Sequence, residues 1–308
     1  MKKILYILLL QLLFPENFQS IGVFTNNSNS FETIALSGAT TAWVKDVSSI
    51  GSNPAGLSKM EGLNFDLGLS TESENVDNYS DSQFPYLAIG YGLPIKKYNL
   101  NLGFGISYQA RTVNDLEGWD FGQNYQGLFN FSESAISLAM AINFQPVSFG
   151  FKWVQYTQNF DTYGSQRSKE FIKPIAFGIQ YKLTKKLNFG LSILKPSQVG
   201  EYDYSISQST AGVSWSIDDK NLVAIDYEKL SNNNGGMSIG YLRKMNLVSL
   251  GIGLKHIVVE EESHSQFSTG LSFKIKSINL NLALKQNISS DILNPYSRIL
   301  HCSISYKY

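Results

Sequence analysis

Apolar residues alternate with small or polar residues along most of the chain beyond residue 60. The clearest example is the segment 278–285. One of its faces carries Ile278, Leu280, Leu282 and Leu284, and the other carries Asn279, Asn281, Ala283 and Lys285. Segments 100–111 and 175–183 repeat the pattern. Because successive side chains of a β-strand point to opposite faces, this alternation predicts strands with one apolar face.

The number of these segments predicts about fourteen strands, an even number that is typical of a single-chain membrane barrel. The predicted spans are 62–71, 84–94, 98–111, 129–144, 147–159, 170–183, 186–195, 203–217, 220–230, 235–244, 246–259, 264–276, 277–287 and 296–308. The face opposite the apolar one is small and polar rather than heavily charged. A lipid-facing outside and a polar lumen produce that pattern. The predicted fold class is therefore all-β, a transmembrane antiparallel β-barrel.

The predicted connections alternate in length along the chain. Segments 72–83, 112–128 and 160–169 are long, whereas 145–146 and 184–185 are short. A bacterial outer-membrane barrel has long extracellular loops and tight periplasmic turns. The alternation therefore favours a membrane barrel over a soluble β-sandwich, with both termini on the periplasmic side.

Tyrosine and phenylalanine gather near the predicted strand ends, among them Phe84, Tyr86, Tyr91 and Tyr98. Membrane barrels carry girdles of aromatic side chains at their two interfaces with water. We therefore expect these four side chains to lie at the boundary between membrane and water.

The N-terminus has the features of a secretory signal peptide. Lys2 and Lys3 precede a run at 4–14 that is apolar apart from Gln11. That run is too short to span a bilayer as a helix but fits the hydrophobic region of a signal peptide. We expect residues 1–20 to be removed on export and the mature barrel to reside in a bacterial outer membrane.

Composition argues against several other functions. The formal net charge is zero and 16% of the residues are charged, so no nucleic-acid partner is expected. Cys302 is the only cysteine, which excludes an intrachain disulfide or a thiolate metal cluster. The three histidines form no metal-binding spacing, and no cofactor is expected. A hydrolase site pairing His301 with Ser303 or Ser305 lacks an orienting third group, so the chain is not predicted to be an enzyme.

The segment before the first predicted strand points to a family. Residues 38–43 are rich in glycine, alanine and threonine, and 46–58 end in the motif Asn53-Pro54-Ala55 followed by Gly-Leu. This segment resembles the N-terminal hatch of the FadL family of outer-membrane transporters for long-chain fatty acids and other hydrophobic compounds. The resemblance implies a signal peptide over 1–20, a hatch over 21–61 and a barrel over 62–308. A local alternative is that Pro54 and the following glycine simply form a turn.

The resemblance implies passive diffusion of long-chain fatty acid-like molecules through a plugged barrel. The partners would be a hydrophobic small molecule or lipid, with outer-membrane lipids and lipopolysaccharide around the barrel. Release would occur sideways near the third strand, where Gly103 and Gly105 are candidates for the lateral opening; they could equally be ordinary small residues of the lumen. The alternative is a PorV-type secretion accessory or scaffold, which shares this architecture and would bind a protein partner.

The predicted loop 112–128 is the candidate site of ligand capture. Its aromatic residues include Trp119, Phe121 and Tyr125, interspersed with acidic residues. Exposed aromatic side chains in a loop indicate a ligand or partner. They could instead pack on one another or extend the aromatic girdle. The predicted loops 160–169 and 196–202 are short and polar, unlike the longer and more apolar loops of the resembled transporters, which leaves the cargo open.

Overall fold

Short helices precede the strands. The computed structural model describes residues 30–73, 82–119, 125–161, 168–172, 175–195, 208–230, 235–259, 262–288 and 298–307. Helices α1 (Phe31–Ala35) and α2 (Ser49–Ser52) are followed by a 3₁₀ helix at Pro54–Lys59, and a second 3₁₀ helix, Lys96–Tyr98, connects two strands. None of the helices in these ranges has the length and apolarity needed to cross a membrane.

The strands form a single antiparallel sheet. They are β1 (Gly62–Ser73), β2 (Ser82–Ile95), β3 (Leu100–Trp119), β4 (Tyr125–Phe144), β5 (Val147–Asp161), β6 (Ser168–Ile172), β7 (Ile175–Lys182), β8 (Leu187–Lys195), β9 (Gln208–Ser216), β10 (Asn221–Leu230), β11 (Gly235–Lys244), β12 (Val248–Val259), β13 (Glu262–Ile275), β14 (Ile278–Asn287) and β15 (Arg298–Lys307). Strands that follow one another in the chain are paired, except that β6 and β7 both pair with β5. The pairing of β1 with β15 and of β4 with β5 closes the sheet into a barrel.

The barrel has fourteen strands because β6 and β7 share one partner. Both pair with β5, β6 along 156–160 and β7 along 147–153. The two pieces keep one register, because Tyr156 lies opposite Ile172 and Trp153 lies opposite Ile175. They match the single strand predicted over 170–183, within which residues 173–174 lie outside the described residues. The closed, all-β, fourteen-strand fold itself is confirmed.

The two faces of the strands differ as the alternation predicted. Leu282 of β14 is 47% exposed, whereas the neighbouring Asn281 is 5% exposed. The outward positions of the other strands likewise carry large exposed apolar side chains, and the inward positions are mostly buried and small or polar. A closed barrel with an apolar outside and a polar lumen is the form in which strands can cross a bilayer.

The hairpin of β3 and β4 corrects the predicted loop 112–128. β3 continues to Trp119 and β4 starts at Tyr125, with register shifts along the way. Leu116 lies opposite Phe129, so pairing persists where the apolar alternation stops. Beyond the apolar band, both faces of a hairpin can meet water, so neither face has to be apolar. Loss of alternation therefore marked the edge of the apolar band rather than the end of the strands.

Residues 30–61, termed here the inner segment, lie inside the barrel. Their helices contact the inward faces of β2 to β5, β7 and β12 to β15. The backbone amides of Thr40 and Thr41 each donate to the Asp226 carboxylate of β10, at 2.9 Å. The hydroxyl groups of Ser37 and Ser268 lie 2.6 Å apart, which ties the segment to β13. Residues 1–29, which include the predicted signal peptide and the first part of the predicted hatch, lie outside the described residues.

Candidate functional site

The turn at Asn53-Pro54-Ala55 joins the inner segment to the wall. The side-chain oxygen of Asn53 accepts from the amide of Ala55, at 3.1 Å, and so caps the following 3₁₀ helix, with Pro54 at its start. The amide nitrogen of the same side chain donates to the carbonyl of Thr41, at 2.8 Å, and to that of Ile179 in β7, at 3.1 Å. Asn53 is fully buried. One side chain thus links two turns of the inner segment to a strand of the barrel.

Pairs of inward-facing glycines mark where the inner segment approaches the wall. The cross-strand pairs are Gly90 with Gly105, Gly92 with Gly103, Gly150 with Gly178, Gly190 with Gly212, Gly240 with Gly253, and Gly251 with Gly270. We call them the glycine belt. A Cβ atom at Gly103 would lie 2.1 Å from the carbonyl oxygen of Leu57, and one at Gly150 would lie 2.2 Å from the amide nitrogen of Ala55. These positions need glycine because the backbone of the inner segment occupies the space of a side chain.

The wall is continuously paired at the two glycines predicted to mark a lateral opening. Gly103 lies opposite Gly92 on one side and Ala141 on the other, and Gly105 lies between Gly90 and Ala139. On the lumen side, a Cβ at Gly105 would meet the side chain of Ile50 at 2.7 Å. Their assignment to a lateral opening stays a prediction.

Two apolar clusters lie on the lumen side of β2, β4 and β5. The first combines inner-segment and wall residues: Val47, Ile50, Leu57, Met60, Tyr86, Ala88, Ala139 and Ala141. The second belongs to the wall alone: Phe84, Ala135, Val154 and Tyr156. The opposite wall presents mainly buried polar side chains, among them Ser238, Ser268, Ser272, Asn281 and Ser303. Smaller apolar contacts also occur there, where Ala283, Ala224 and Leu242 of the wall meet the inner segment. Among the described residues, the cluster at Phe84 and Tyr156 is the one formed by the wall alone.

The apolar clusters correct part of the predicted aromatic girdle. Phe84 and Tyr86 face the lumen and are 8% and 2% exposed, whereas Tyr91 and Tyr98 are exposed. Phe84 and Tyr86 are separated by one residue, so they share a face of β2, and that face points inward. Phe84 and Tyr86 lie four and two residues before the lumen-facing Ala88, so they share its face, whereas Tyr91 lies three residues after it, on the other face. That spacing was the signal available in the sequence.

An apolar groove runs over the outside of the same wall. This outer groove has a volume of about 590 Å³. Its sides include Ile89, Phe104, Ile106 and Met140, and its floor lies at Gly90, Gly105 and Ala139. On the lumen side of that floor lie Ile50 and Met60 of the inner segment. One layer of backbone, without side chains at the two glycines, separates the outer groove from the first apolar cluster.

Two of the three residues predicted to capture ligand lie at the described ends of β3 and β4. Trp119 is the last residue of β3, and Phe121 lies outside the described residues. Tyr125 starts β4 with 53% of its surface exposed. Their role in capture stays a prediction.

A serine–histidine pair is present in the lumen, but not the one that the sequence suggested. His301 Nδ1 lies 2.9 Å from the hydroxyl of Ser70, and both side chains are buried. Ser303 instead accepts from the Asn281 side chain at 3.0 Å. Among the described residues, His301 Nε2 has no hydrogen-bond partner, so no third group orients the ring. The arrangement lacks the second hydrogen bond on which a hydrolase triad depends.

The last strand also contacts the inner segment. The ammonium group of Lys307 in β15 forms ion pairs with Asp46 and with Glu32, the latter at 3.5 Å. Asp46 in turn accepts hydrogen bonds from the amide and hydroxyl of Ser48. The strand that closes the barrel therefore also binds two carboxylates of the inner segment.

Removing the Asn53 side chain should loosen the inner segment. We expect Asn53→Ala to lower the free energy of unfolding by about 1–3 kcal/mol, because the amide of Ala55 loses its acceptor and the carbonyl of Thr41 keeps only the Gln180 side chain as a donor. Urea unfolding of the protein in lipid vesicles measures the change. Asn188→Ala is the matched control, since within the described part of the chain that half-buried side chain donates to Ser214 alone, at 3.3 Å. Equal losses in the two variants would refute an anchoring role for Asn53.

The fold of this chain is similar to that of several solved structures of transport proteins. CymD, a monoaromatic hydrocarbon channel, aligns with 96% of this chain and 99% of its own, with a TM-score of 0.68 and 13% identity. The toluene transporter TbuX of Ralstonia pickettii aligns over 93% of this chain and 100% of its own, with a TM-score of 0.70 and 15% identity. A FadL homologue of Pseudomonas aeruginosa aligns over 90% and 98%, with a TM-score of 0.60 and 9% identity. No family model and no curated protein matches the sequence. The expected structural resemblance to the FadL family is confirmed, and at these identities it concerns the fold.

Proposed function

We propose that this barrel carries hydrophobic small molecules, long-chain fatty acid-like in size, across a bacterial outer membrane by passive diffusion. The observation that carries the proposal is the apolar side of the wall at β2 to β5. Apolar clusters line it on the lumen side, the outer groove lines it on the outside, and Gly90 and Gly105 lie between them. A hydrophobic molecule could keep apolar contacts on both sides of such a wall.

The physical advantage of that path is large. Leaving an apolar site for water costs about 0.8 kcal/mol for each methylene group, so a water-filled pore is a poor route for a long alkyl chain. In our proposal residues 21–61 act as a hatch that fills the pore, and the cargo leaves sideways into the membrane near Gly105. The buried contacts of the described part of the hatch with the wall support this role.

The structural neighbours support the class of cargo. CymD is a channel for monoaromatic hydrocarbons and TbuX is a toluene transporter. We extend hydrophobic-compound transport to this chain, with the short turns facing the periplasm and the tip of the β3–β4 hairpin facing outward. Trp119, Phe121 and Tyr125 would collect the cargo there.

Uptake by living cells tests the proposal. The chain is expressed in the outer membrane of cells that lack their own hydrophobic-compound transporter, and uptake of a labelled long-chain fatty acid and of labelled toluene is measured. We expect restored uptake of at least one of them. Absence of uptake for a whole panel of hydrophobic compounds, with the barrel folded at the surface, would contradict transport.

A matched pair of variants tests the route. Met140 is 56% exposed and borders the outer groove, whereas Met237 is 52% exposed and lies on β11, away from it. Met140→Trp should fill the groove and lower the uptake rate severalfold, whereas Met237→Trp should leave the rate unchanged. Equal rates in the two variants would show that cargo does not pass this part of the wall.

The secretion-scaffold alternative predicts a different outcome in the same cells. A PorV-type barrel would restore no uptake and would co-purify with a protein partner after mild detergent extraction. The apolar clusters between the inner segment and the wall favour the transport function, because a protein scaffold has no need of an apolar path through its lumen.

A further inference from the structure

A second cavity lies at the end of the barrel where the strands are joined by tight turns. This turn-end cavity has a volume of about 890 Å³ and opens to solvent. Seven lysines and two aspartates contribute to its lining, together with Trp43 of the inner segment. The inner segment supplies Lys45 and Lys59, and the barrel turns and strand ends supply the other five lysines. The chain as a whole is neutral, so this excess of positive charge is local.

Within the described residues, neither Asp218 nor Asp219 forms an ion pair with these lysines. The carboxylate of Asp218 accepts from the backbone amides of Lys220 and Asn221, each at 2.7 Å, and from the Asn221 side chain. It therefore stabilises its own turn. Within the described part of the chain, none of the seven lysines has a carboxylate within 4.0 Å.

The lysines also lie close enough to repel one another. Burial, together with the positive charges of the nearby Lys182 and Lys45, lowers the pKa of Lys59 to about 8. The ammonium group of Lys244 lies 5.7 Å from the centre of the Trp43 ring. Converging positive charges in a partly enclosed site attract an anion more strongly than the same charges on an open surface.

We propose that the turn-end cavity binds a phosphate group, with Lys59 and Lys182 as its principal contacts and Lys45 beside them. Lysine ammonium groups bind phosphate as point charges, and several converging lysines suit an anion with more than one charged or partially charged oxygen. Trp43 supplies an apolar surface next to the charges, which would also accommodate the glycerol and first methylenes of a lipid head group. The inference does not rest on the proposed transport function.

Titration calorimetry on the full-length protein in uncharged detergent tests this site. The probes are inorganic pyrophosphate, dihexanoyl phosphatidylglycerol and, as the zwitterionic comparison, dihexanoyl phosphatidylcholine, in low and high salt. We expect saturable binding of an anionic probe that weakens as salt is added. Binding of pyrophosphate would identify a free phosphate as sufficient, whereas binding of phosphatidylglycerol alone would identify a lipid head group. Saturable binding of neither anionic probe would overturn the proposal.

Variants assign the binding to the named lysines. Lys59→Gln combined with Lys182→Gln should weaken binding about tenfold or more, the size expected for loss of charge-assisted contacts. Lys274→Gln, at an exposed strand end outside the cavity, should leave binding unchanged. Should the first pair impair folding, Lys45→Gln with Lys182→Gln alters two exposed side chains and should still weaken binding severalfold. Affinity equal to that of the unaltered protein in a folded double variant would refute the assignment.

Discussion

Replacing Gly103 by valine is expected to displace the inner segment from the wall and to destabilise the barrel by about 3 kcal/mol or more. A Cβ atom at this position would lie 2.1 Å from the carbonyl oxygen of Leu57 and 2.3 Å from its carbonyl carbon. Main-chain atoms cannot rotate away as the end of a side chain can. Either the 3₁₀ helix at Pro54–Lys59 moves or β3 bends.

Limited proteolysis distinguishes displacement from local adjustment. In the unaltered protein, a protease added from the turn end should spare residues 30–61, and in Gly103→Val it should cut there rapidly. Ala211→Val is the control, because it places the same branched side chain on an exposed outward position of β9. Protection of the inner segment in both variants would mean that the close approach at Gly103 does not hold it in place.

A charge on the outer face should be costly at mid-strand. We expect Leu282→Arg to lower the free energy of unfolding from lipid vesicles by roughly 2–4 kcal/mol, the range for a basic side chain at the bilayer midplane. Leu282 is 47% exposed and lies opposite Leu271 and Cys302, away from both ends of β14. Its side chain therefore belongs to the centre of the apolar band.

Ile278→Arg is the control for depth. Ile278 is on the same face but at the first residue of β14, so the cost should fall to about 0–1 kcal/mol. Comparable losses at the two positions, or no loss at Leu282, would contradict a membrane-embedded outer face.

The strands were predictable where one face had to be apolar. The alternation at 278–285 predicted both a strand and the inward orientation of Asn281. A shift of the pairing register by one residue would turn the leucines into the lumen. The same rule failed at 112–128, where the hairpin of β3 and β4 leaves the apolar band and pairing no longer depends on alternation. Backbone hydrogen bonds stabilise that hairpin, and they do not require apolar and polar residues to alternate.

The candidate site was predictable only in part. The motif Asn53-Pro54-Ala55 stood out because a proline and a capping asparagine specify a local turn. The glycine belt was not recognisable from the sequence. A glycine on the lumen face gives the same sequence pattern whether it lies next to water, a side chain or a second backbone. Similarly, nothing around Asp226 indicates that its carboxylate accepts two amides from residues more than 180 positions earlier. Such contacts depend on how the closed barrel encloses a segment distant in sequence.

The ion pairs of Lys307 link the closure of the barrel between β1 and β15 to the position of the inner segment in the lumen. β15 and β1 form the seam of the barrel, with Asn64 opposite Lys307, and the same lysine binds Asp46 and Glu32 of the inner segment. If β15 pairs with β1 before the inner segment has entered the lumen, Lys307 lacks Asp46 and Glu32 as ion-pair partners. If the inner segment is already inside the barrel, Lys307 forms both ion pairs as β15 and β1 pair. The seam is therefore more stable in a barrel that has enclosed its own N-terminal segment. We expect Asp46→Ala, which leaves Glu32 as the ion-pair partner of Lys307, to lower the free energy of unfolding measured in urea.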